Sequence, residues 1–454
     1  MKVREFKKVL VANRGEIAVR VIRTLKEMGI KSVAVYSKAD KSSMHLEMAD
    51  ESVCIGEGAA KDSYLNMERI ISAALAVKAD AIHPGYGFLS ENADFSKLCS
   101  KSGIVFIGPN PDSIRILGHK STARELARRS GVPITPGSRG CVKRDCLKIA
   151  KKIGFPIMIK AASGGGGKGM RIVWREEDLM REYELARSEA KAAFGDDSVF
   201  FEKYIEKPRH IEIQFARDYY GNVLTFPERD CTLQRKHQKL VEESPSPAVT
   251  VEIRNKLEKV VKNLAESANY HGLGTVEFLL DEKKNFYFME VNTRLQVEHP
   301  VTELITGSDL VRQQILIAQG YEMDIKQDEV DNFRGHAIEH RINAEDWQKG
   351  FIPSVGIIEE LRLPLGNGVR IDTHIYPGYR IPPFYDSMLA KLIVWGIDRN
   401  QAISRSKRAL EEFRIAGVKT TIDLHQHIVN DENFITSRIY TKYLEEFIPR
   451  ILSK

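Results

Sequence analysis

The sequence predicts a multidomain α/β and α+β protein, with a doubly wound parallel sheet first, a strand-rich central domain next and an α+β domain last. Three observations lead to this prediction. The first hundred or so residues alternate short apolar runs with amphipathic segments. A glycine-rich loop at 164–169 joins two strands, and two later strands, near 274–291, each carry a glutamate among apolar residues. The length of 454 residues gives room for about three domains.

The opening segment has the pattern of a βαβ unit. Residues 9–12 form an apolar strand, residues 13–16 a turn, and the helix that follows has apolar positions at helical spacing as far as Met28. Gly29 ends that helix before the strand at 33–36. The alternation continues with a helix at 67–77, a strand at 81–82, a helix at 93–100 and a strand at 105–107. Such sheets are parallel and bind ligands beyond the carboxyl ends of their strands.

The composition and the first turn exclude several classes of protein. Apolar residues make up 43% and the net charge is only +6, which argues against disorder and does not by itself imply nucleic acid. No apolar run is long enough to span a membrane, and the N-terminus lacks the apolar core of a signal peptide. Five cysteines without a C-x-x-C pair favour a reducing compartment, so we expect a cytoplasmic protein. Only Gly15 follows the first strand, whereas a dinucleotide-binding fold requires G-x-G-x-x-G.

The glycine-rich loop is the first candidate for chemistry. A predicted linker at 133–140 is followed by a helix at 145–153 and then by a hairpin of two strands, 156–160 and 171–174. Lys160 and Lys168 lie at the ends of the loop between these strands. Successive glycines expose backbone N–H groups and let the main chain approach an anion closely. A Walker A loop would lead from a strand into a helix, which this loop does not. We therefore predict a mobile flap that closes over phosphates, the alternative being a flexible surface linker.

Two glutamates in a hairpin are the second candidate. If the apolar residues of strands 274–280 and 286–291 face each other, Glu277 lies directly across from Glu290. Two carboxylates about 5 Å apart repel by roughly 3 kcal/mol at an effective dielectric near 20. A cation between them would remove this cost, and Mg²⁺ suits because it binds carboxylates together with phosphate oxygens. Asn292 offers a third oxygen on the same strand face, unless both acids simply face solvent.

The segment after this hairpin alternates polar side chains. Arg294, Gln296 and Glu298 project together if the segment is extended. Arginine suits bidentate recognition of a planar anion, and a neighbouring carboxylate can remove a proton from that anion. A solvated strand edge would alternate in the same way, but the adjacent acid hairpin favours a site.

Residues 228–239 form a fourth, strongly polar segment. Nucleic-acid contact is disfavoured because no aromatic residue is interleaved for base stacking, so we predict that it handles oxyanions. His237 is equally compatible with a structural role, and Cys231 has no apparent catalytic partners. Residues 202–205 end a strand and could bind adenine through the main chain. From Phe200 to Val291 strands dominate the prediction, and after about Gly335 we expect short strands with one or two helices.

Taken together and in order, six segments resemble biotin carboxylases, which are ATP-grasp enzymes: residues 11–18, 83–92, 164–170, 229–239, 290–303 and 341–346. The resemblance covers nearly the whole chain. It implies an N-terminal α/β domain over 1–117, an ATP-grasp domain over 118–334 that includes a mobile lid at 133–205, and a C-terminal α+β domain over 335–454. Lys168 and Lys236 stand where the family commonly has arginine.

The resemblance also implies a reaction and its cofactors. ATP, with Mg²⁺ or Mn²⁺, phosphorylates bicarbonate to carboxyphosphate, and CO₂ then passes to the ureido nitrogen of biotin on a carrier protein. The residues implied to bind ATP are Lys120, Lys160, Gly166, Gly167, Glu202, Ile205, His210 and His237. The implied metal ligands are Glu277, Glu290 and Asn292.

The same resemblance assigns the second substrate site. Lys239, Arg294, Gln296 and Val297 would bind bicarbonate, with Glu298 as the base. Arg341 would stabilise the enolate-like ureido oxygen of biotin, and Tyr86 would lie near the biotin ring. The implied catalytic residues are therefore Lys239, Arg294, Glu298 and Arg341.

Partners are implied as well. We expect a biotin carboxyl carrier protein, a homodimer and a separate carboxyltransferase subunit, since the chain has no Met-Lys-Met biotinylation motif of its own. Acetyl-CoA is the favoured final acceptor, which would place the protein in fatty acid biosynthesis, and pyruvate, 2-oxoglutarate and propionyl-CoA remain open. Two alternatives stay in view: an ATP-grasp ligase for another acceptor, and a nucleotide-binding regulatory protein without turnover.

Overall fold

The structure is a computed structural model, and it describes residues 3–138, 140–162 and 170–453. The predicted glycine-rich loop, with Gly166, Gly167 and Lys168, lies outside these ranges. The chain divides into two compact units. The larger unit comprises Met1–Val132, Arg209–Phe278 and Met289–Lys454, and the smaller comprises Pro133–Pro208 and Leu279–Phe288.

The larger unit begins with the predicted doubly wound sheet. Its five parallel strands lie in the order β3-β2-β1-β4-β5, so the order reverses at β1. The strands are β1 (Lys8–Val11), β2 (Lys31–Ser37), β3 (Glu51–Gly56), β4 (Ala81–His83) and β5 (Val105–Phe106). The helices are α1 (Gly15–Glu27), α2 (Met44–Met48), α3 (Met67–Ala76), α4 (Ala93–Lys101), α5 (Pro111–Gly118) and α6 (Lys120–Arg129). The fold prediction for this part is confirmed.

Burial on both faces explains this architecture. Leu10 packs into one apolar cluster with Val33 and Val35, whereas Val9 and Val11 belong to a second cluster on the opposite face. A strand covered on both faces is apolar throughout, which is why β1 was easy to predict. Strand β3 was missed because it lies at the edge of the sheet, where exposed residues alternate with partly buried ones.

The smaller unit is built around a three-stranded antiparallel sheet in the order β7-β6-β8. Its elements are α7 (Cys146–Ile153), β6 (Ile157–Ala161), β7 (Met170–Val173), α8 (Leu179–Phe194) and β8 (Val199–Lys203). Strands β6 and β7 pair from Ile157 with Val173 to Lys160 with Met170, as the sequence predicted. Helix α8 covers the sheet with Leu179, Tyr183, Ala186 and Ala190 and was not predicted.

The rest of the described chain forms one large, mainly antiparallel sheet and two separate two-stranded sheets, with helices around them. The strands are β9 (Arg209–Arg217), β10 (Val223–Thr225), β11 (Arg229–Arg235), β12 (Gln238–Ser244), β13 (Gly272–Leu280), β14 (Phe286–Asn292), β15 (His336–Asn343), β16 (Glu345–Asp346), β17 (Ile352–Pro353), β18 (Glu360–Arg362), β19 (Val369–Thr373), β20 (Met388–Gly396) and β21 (Arg414–Ala416). The order of the large sheet is β14-β13-β9-β11-β12-β15-β20-β19, with β10 beside β9. The two small sheets pair β16 with β17 and β18 with β21.

Two predictions about this region were incomplete. The helices here are α9 (Val251–Ser267), α10 (His299–Thr306), α11 (Leu310–Gln319), α12 (Gln327–Asp331), α13 (Arg399–Glu412), α14 (Ile422–Asn430), α15 (Glu432–Ile435) and α16 (Tyr443–Leu452). Strands therefore do not fill the stretch up to Val291, because α9 buries Ile253, Leu257 and Val261 at helical spacing and is capped by Thr250. Between Gly335 and Ser453 the described residues form four α-helices, not one or two. Among the described residues, no helix is both long and apolar enough to cross a bilayer.

A register shift in β12 decides which side chains reach the polar face of this sheet. The pairing of β11 with β12 shifts between Leu233 and Gln234, and Leu240 and Val241 both enter the same apolar cluster. Two successive inward residues mark a bulge, so Lys239 and Glu242 emerge together on the opposite face. Neighbouring strands follow the normal alternation and place Glu339 and Arg341 of β15 and Lys391 of β20 on that polar face as well, opposite Ile338, Ile342 and Leu392.

The turns after β1 and β4 are tied together where the sheet order reverses. Asn13 donates from Nδ2 to the carbonyl oxygens of Pro84, at 2.7 Å, and Tyr86, at 2.8 Å. Gly85 lies between these two acceptors with φ of +63°, and an added Cβ there would lie 2.9 Å from Asn13 Nδ2. Glycine is therefore needed for backbone conformation and for space, and it fixes the position of Tyr86.

We expect Gly85→Ala to lower the free energy of unfolding by ~1–2 kcal/mol more than Gly87→Ala does. Both glycines have positive φ, so both substitutions carry the strain of a left-handed residue. A Cβ at Gly87 meets none of the described atoms within 4 Å, so only the Gly85 variant also disturbs Asn13. Thermal or denaturant unfolding of both variants makes the comparison, and equal losses would contradict the proposed close packing.

Candidate active site

Lys239 is the centre of the polar face. Its Nζ lies 2.8 Å from Glu212, 3.0 Å from Glu277 and 2.6 Å from Glu298. The three acids come from β9, from β13 and from the residue before α10, and each is buried. One ammonium group therefore joins three separate segments of the larger unit by charge-assisted hydrogen bonds.

Arg229 lies beneath this cluster and is completely buried. Its Nε donates to Glu212, one terminal nitrogen donates to Gln296 Oε1 at 2.6 Å, and the other to Thr302 Oγ1 at 3.1 Å. Neither Arg229 nor Glu212 was singled out from the sequence. The sequence signal that could have indicated Glu212 is its alternation, with Gln214, with Ile residues in β9. Both faces of this strand are buried.

Arg341 connects the cluster to β12. Its Nε donates to Glu242 Oε1 at 2.6 Å, and a terminal nitrogen lies 2.8 Å from Glu298 Oε2. Glu298 therefore has one oxygen held by Lys239 and the other held by Arg341. Glu242, completely buried, is a further residue that was not singled out from the sequence.

The predicted metal ligands lie at the same face. Glu277 accepts hydrogen bonds from Asn292 and Gln296, both at 2.9 Å, and lies 3.0 Å from His210. Burial raises the pKa of Glu290, and the nearby charge of Glu277 raises it further. Two carboxylates that raise each other's affinity for positive charge form a donor set that suits a hard divalent cation.

Two observations bear on the prediction that Glu277, Glu290 and Asn292 bind a metal ion. The Asn292 amide oxygen accepts a hydrogen bond from Arg294 at 3.0 Å, so it must give up this partner to serve as a ligand. Among the described residues, two groups of three have ligand atoms within 4.8 Å of one another: His210, Glu212 and Glu277, and Glu212, Cys231 and Glu298. The Lys239 ammonium already serves the carboxylates of both groups. The set of Glu277, Glu290 and Asn292 stays a prediction.

The alternation expected at 294–298 is not how these side chains meet. The segment is irregular, because strand β14 ends at Asn292 and residues 293–298 form no strand. Arg294 donates from Nε to Glu91 at 2.8 Å, while Gln296 and Glu298 turn inward to the cluster. The residues still converge, because Asn292 links Arg294 to Glu277, but the cause is a loop packed on a polar sheet face instead of an extended strand.

The charges in the cluster set one another's ionisation. Burial alone would raise the pKa of Glu298, but Lys239 and Arg341 outweigh burial and hold it well below its usual range. Burial likewise opposes ionisation of Glu277, and Lys239 and His210 hold the pKa of that carboxyl well below its usual range. Burial would lower the pKa of Lys239, but the surrounding acidic groups raise it. The cluster is therefore charged at neutral pH.

Lys391 anchors the neighbouring residues of the predicted biotin and bicarbonate sites. This completely buried lysine donates to the Val297 carbonyl oxygen at 3.0 Å and lies 3.2 Å from Glu16. Its Nζ also lies 5.8 Å from the centre of the Tyr86 ring. Val297 and Tyr86, predicted from different segments, are thus held by one cation.

The residues predicted to bind ATP divide between the two units. In the smaller unit, Lys160 forms an ion pair with Glu202, and Ile205 is half-buried just after β8. In the larger unit, Lys120 is exposed at the start of α6, and His237 is exposed in the turn between β11 and β12 with φ of +67°. His210 is buried beside Glu277. Gly166 and Gly167 lie outside the described residues.

Three family models match consecutive parts of the chain. They are the biotin carboxylase N-terminal domain over residues 5–114, the carbamoyl-phosphate synthase L chain ATP-binding domain over 119–326, and the biotin carboxylase C-terminal domain over 339–446. The chain is 53% identical over 444 residues to the biotin carboxylase of Nostoc sp., and the match covers 97% of this chain and 99% of that one. The chain belongs to the biotin carboxylase family.

Two further relatives show how widely this biotin carboxylase fold is used. The chain is 50% identical to one subunit of the pyruvate carboxylase of Methanothermobacter thermautotrophicus, over 97% of this chain and 90% of that one. The solved biotin carboxylase domain dimer of 2-oxoglutarate carboxylase from Hydrogenobacter thermophilus, in complex with MgADP, ADP and bicarbonate, matches with a TM-score of 0.92 and 50% identity over 99% of each chain. The predicted ATP-grasp fold and enzyme class are confirmed.

We expect Lys239→Gln to lower the free energy of unfolding by ~3–5 kcal/mol, because it leaves buried carboxylates without their cation. In the wild type, the stability gained from Glu277 and Glu298 is present above their ordinary pKa and is lost as pH falls. In the variant the pKa values of Glu277 and Glu298 rise. The difference in free energy of unfolding between wild type and variant therefore grows as pH increases. Unfolding midpoints measured across pH check this, with Lys256→Gln, at an exposed position of α9, as the control. An equal loss at every pH would contradict it.

Proposed function

We propose that this biotin carboxylase carries out the first half-reaction of acetyl-CoA carboxylase. In that reaction ATP, with Mg²⁺ or Mn²⁺, phosphorylates bicarbonate to carboxyphosphate, and the carboxyl group passes to biotin on a carrier protein. The observation that carries the carboxylation chemistry is the group of Lys239, Glu298 and Arg341, which places two cations on one buried carboxylate. Acetyl-CoA as the final acceptor rests on the resemblance to biotin carboxylases.

A second acceptor class has specific support. Relatives about as similar to this chain are subunits of pyruvate carboxylase and 2-oxoglutarate carboxylase. The residues gathered around Lys239 would handle bicarbonate and biotin, which these enzymes have in common, so the site itself does not discriminate among acceptors. Carboxyl transfer from carboxylated carrier protein to acetyl-CoA, pyruvate, 2-oxoglutarate or propionyl-CoA, with the purified carboxyltransferase, decides among them.

The bicarbonate step follows from the charges at Lys239. Bicarbonate is an anion, and Lys239 and Arg294 provide donors for it beside Gln296 and the Val297 segment. Glu298 is ionised, so it can accept the bicarbonate proton. An anion arriving next to Glu298 would raise the pKa of that carboxyl, because like charges disfavour ionisation. The base would therefore become stronger as its substrate binds.

The biotin step would use Arg341. Loss of the ureido proton places negative charge on the ureido oxygen, and a guanidinium already fixed in place stabilises that charge without reorganising. Glu242 and Glu298 fix this guanidinium by hydrogen bonds from two sides. Tyr86, held near Lys391, would line the ring of biotin.

ATP and the metal would be bound by residues that fit them chemically. Lys120, His210 and His237 of the larger unit and Lys160, Glu202 and Ile205 of the smaller unit are the proposed nucleotide contacts. Glu277, Glu290 and Asn292 would hold the metal, which supplies positive charge to phosphate oxygens when bound. The loop of Gly166 and Gly167 would offer backbone N–H groups to the phosphates.

The domain plan and the partners complete the proposal. We propose domains over 1–117, 118–334 and 335–454, with a lid at 133–205 that keeps water from carboxyphosphate. The spans of the three family models support these boundaries. A biotin carboxyl carrier protein, a carboxyltransferase subunit, a homodimer and a cytoplasmic location are proposed from the family resemblance.

We expect ATP hydrolysis by the purified protein, with Mg²⁺ and bicarbonate, to rise strongly on addition of free biotin. Label from ¹⁴C-bicarbonate should appear in carboxybiotin at the same time. Bicarbonate-dependent hydrolysis that ignores both free biotin and biotinylated carrier would contradict the proposal and favour an ATP-grasp ligase for another acceptor.

We expect Arg341→Ala to reduce biotin carboxylation by ~10²-fold or more, since it removes a group that stabilises developing charge. Slow bicarbonate-dependent ATP hydrolysis without biotin should persist. Arg341→Lys is the matched variant, because it keeps the charge but loses the fork that engages both Glu242 and Glu298. Full carboxylation by the alanine variant would remove Arg341 from the mechanism.

We expect Glu290→Gln to weaken the metal dependence of turnover, because an amide is a much poorer ligand than a carboxylate for Mg²⁺. The rate should require a much higher Mg²⁺ concentration for half-saturation, whereas ATP hydrolysis in wild type saturates at lower concentration. Glu282→Gln, on the exposed tip of the same hairpin, is the control. An unchanged Mg²⁺ titration in the Glu290 variant would rule out the facing-carboxylate site.

A further inference from the structure

Two buried glutamates face each other beside Arg341, and one of them, Glu339, has no role in the function proposed above. Glu242 of β12 pairs directly with Glu339 of β15 in the antiparallel register. Both residues are 0% exposed. Side chains directly opposite each other in an antiparallel pair lie on the same face, with Cβ atoms about 4.5–5.5 Å apart. Two acids are thus held at close range in the middle of the sheet, where solvent cannot separate them.

The hydrogen bonds of this pair are incomplete in a specific way. Glu242 accepts from Arg341 through Oε1, but its Oε2 accepts no hydrogen bond from any described residue. Neither oxygen of Glu339 has a hydrogen-bond partner among the described residues either. Buried carboxylate oxygens rarely lack a partner, so this pair is short of one donor. A proton carried by Glu339 would supply that donor to the free oxygen of Glu242.

The surrounding charges favour a proton on this pair instead of a second negative charge. The charged and titratable groups that act on the pair from the packed elements are Lys239, Arg341, Lys391, Glu298 and Cys231. Arg341 is already shared with Glu298. Lys391 is shared with Glu16 at 3.2 Å and Asp372 at 3.7 Å, so neither cation is left for Glu339 alone.

The pKa values of Glu339 and Glu242 also favour one proton on the pair. Burial raises the pKa of Glu339 well above its usual range, and the charge of Glu242 raises it further while Lys391 opposes. Burial also raises the pKa of Glu242, to about 7, but Arg341 opposes this rise and keeps it smaller than that of Glu339. The negative charge therefore belongs on Glu242, next to the guanidinium, and the proton belongs on Glu339.

We propose that Glu242 and Glu339 hold one proton between them, and that this shared proton keeps the positive charge of Arg341 available to the ureido oxygen of biotin. With the proton in place, Arg341 faces the negative charges of Glu242 and Glu298. Without it, Glu339 adds a third carboxylate, and the guanidinium is overcompensated before any substrate oxygen arrives. Glu339 is in this sense a positioning residue that acts through Arg341. The link to biotin rests on the proposed function, whereas the shared proton does not.

The shared proton is tested by stability against pH, using the full chain. A carboxyl with a raised pKa keeps its proton in the folded state but releases it on unfolding, so the wild type loses stability as pH rises above the ordinary pKa of glutamate. Glu339→Gln mimics the protonated form and removes this loss. From about pH 5 to about pH 9, the ratio of wild-type to variant unfolding constants should increase by up to ~10-fold per pH unit.

A matched control lies next to the pair. Glu243 follows Glu242 in β12 and is equally buried, but it faces the other side and lies 2.7 Å from both His336 and Arg399. Burial opposes its ionisation, but Arg399 and His336 lower its pKa to about 2. From about pH 7 to about pH 9, Glu243→Gln should therefore be less stable than the wild type by a constant amount, since a histidine partner contributes charge only at lower pH. The same constant offset for Glu339→Gln over that range would overturn the shared proton.

A second variant covers the case in which Glu339→Gln does not fold. Glu242→Gln also leaves a single carboxyl facing an amide, so the pH-dependent loss of stability should shrink there as well, although the loss of the Arg341 partner lowers stability at every pH. A wild-type pH dependence retained in this variant would overturn the proposal in the same way.

The link to Arg341 is tested by kinetics with free biotin. The alkaline fall of kcat/KM for biotin should move to higher pH in Glu339→Gln, with the variant-to-wild-type ratio rising ~10-fold or more between about pH 7 and about pH 9. The pH dependence of KM for ATP should not move. A biotin profile identical to wild type, together with a positive stability result, would overturn the action through Arg341. Absence of biotin stimulation in the wild type would instead overturn the proposed function and leave the stability test to judge the proton.

Discussion

The contact of Lys239 with three buried carboxylates is the interaction on which the rest of the site depends. Glu212, Glu277 and Glu298 approach one ammonium group within hydrogen-bonding distance, from separate segments of the larger unit. Removing any three carboxylates from water is costly, and in a buried site only well-placed donors offset that cost. Arg229 supplies further donors from beneath, to Glu212 and to Gln296. The segment before α10 is held in its irregular path by these contacts.

A local feature of the backbone makes this arrangement possible. Regular alternation in β12 would send Lys239 and Glu242 to opposite faces of the sheet, because they are three residues apart. The bulge that buries Leu240 and Val241 together brings both polar residues to one face. Lys239 can then bind Glu298 while Glu242 binds Arg341, and Arg341 in turn reaches the other oxygen of Glu298. A one-residue irregularity thus joins the two halves of the site.

Secondary structure was predicted correctly where the pattern of apolar residues alone determines it. The β1–α1 segment is apolar or periodic throughout, and the glycine-rich hairpin has strands of clear pattern, so both were predicted correctly. Helix α9 was missed because charged residues cover most of its surface and its apolar stripe is narrow. The sequence predicts an extended segment at 294–298, but tertiary contacts with Arg229 and Lys239 fold these residues inward. Arg229 and Glu242 were beyond reach for the same reason, since their partners are distant in sequence and the bulge that orients Glu242 leaves no sequence signature.

The two-sided contact of Glu298 suggests how one carboxylate can serve two anionic partners in turn. One oxygen is held by Lys239, on the side of Glu277 and the proposed metal ligands, and the other by Arg341, on the side of Glu242. An anion that takes over Lys239 leaves Glu298 attached to Arg341, so the carboxylate keeps its position while its affinity for a proton rises. An oxyanion that later takes over Arg341 would find Glu298 still held by Lys239. Because neither exchange releases Glu298 from both cations at once, its position can be maintained through both steps, and the charge that each substrate meets depends on which cation it engages.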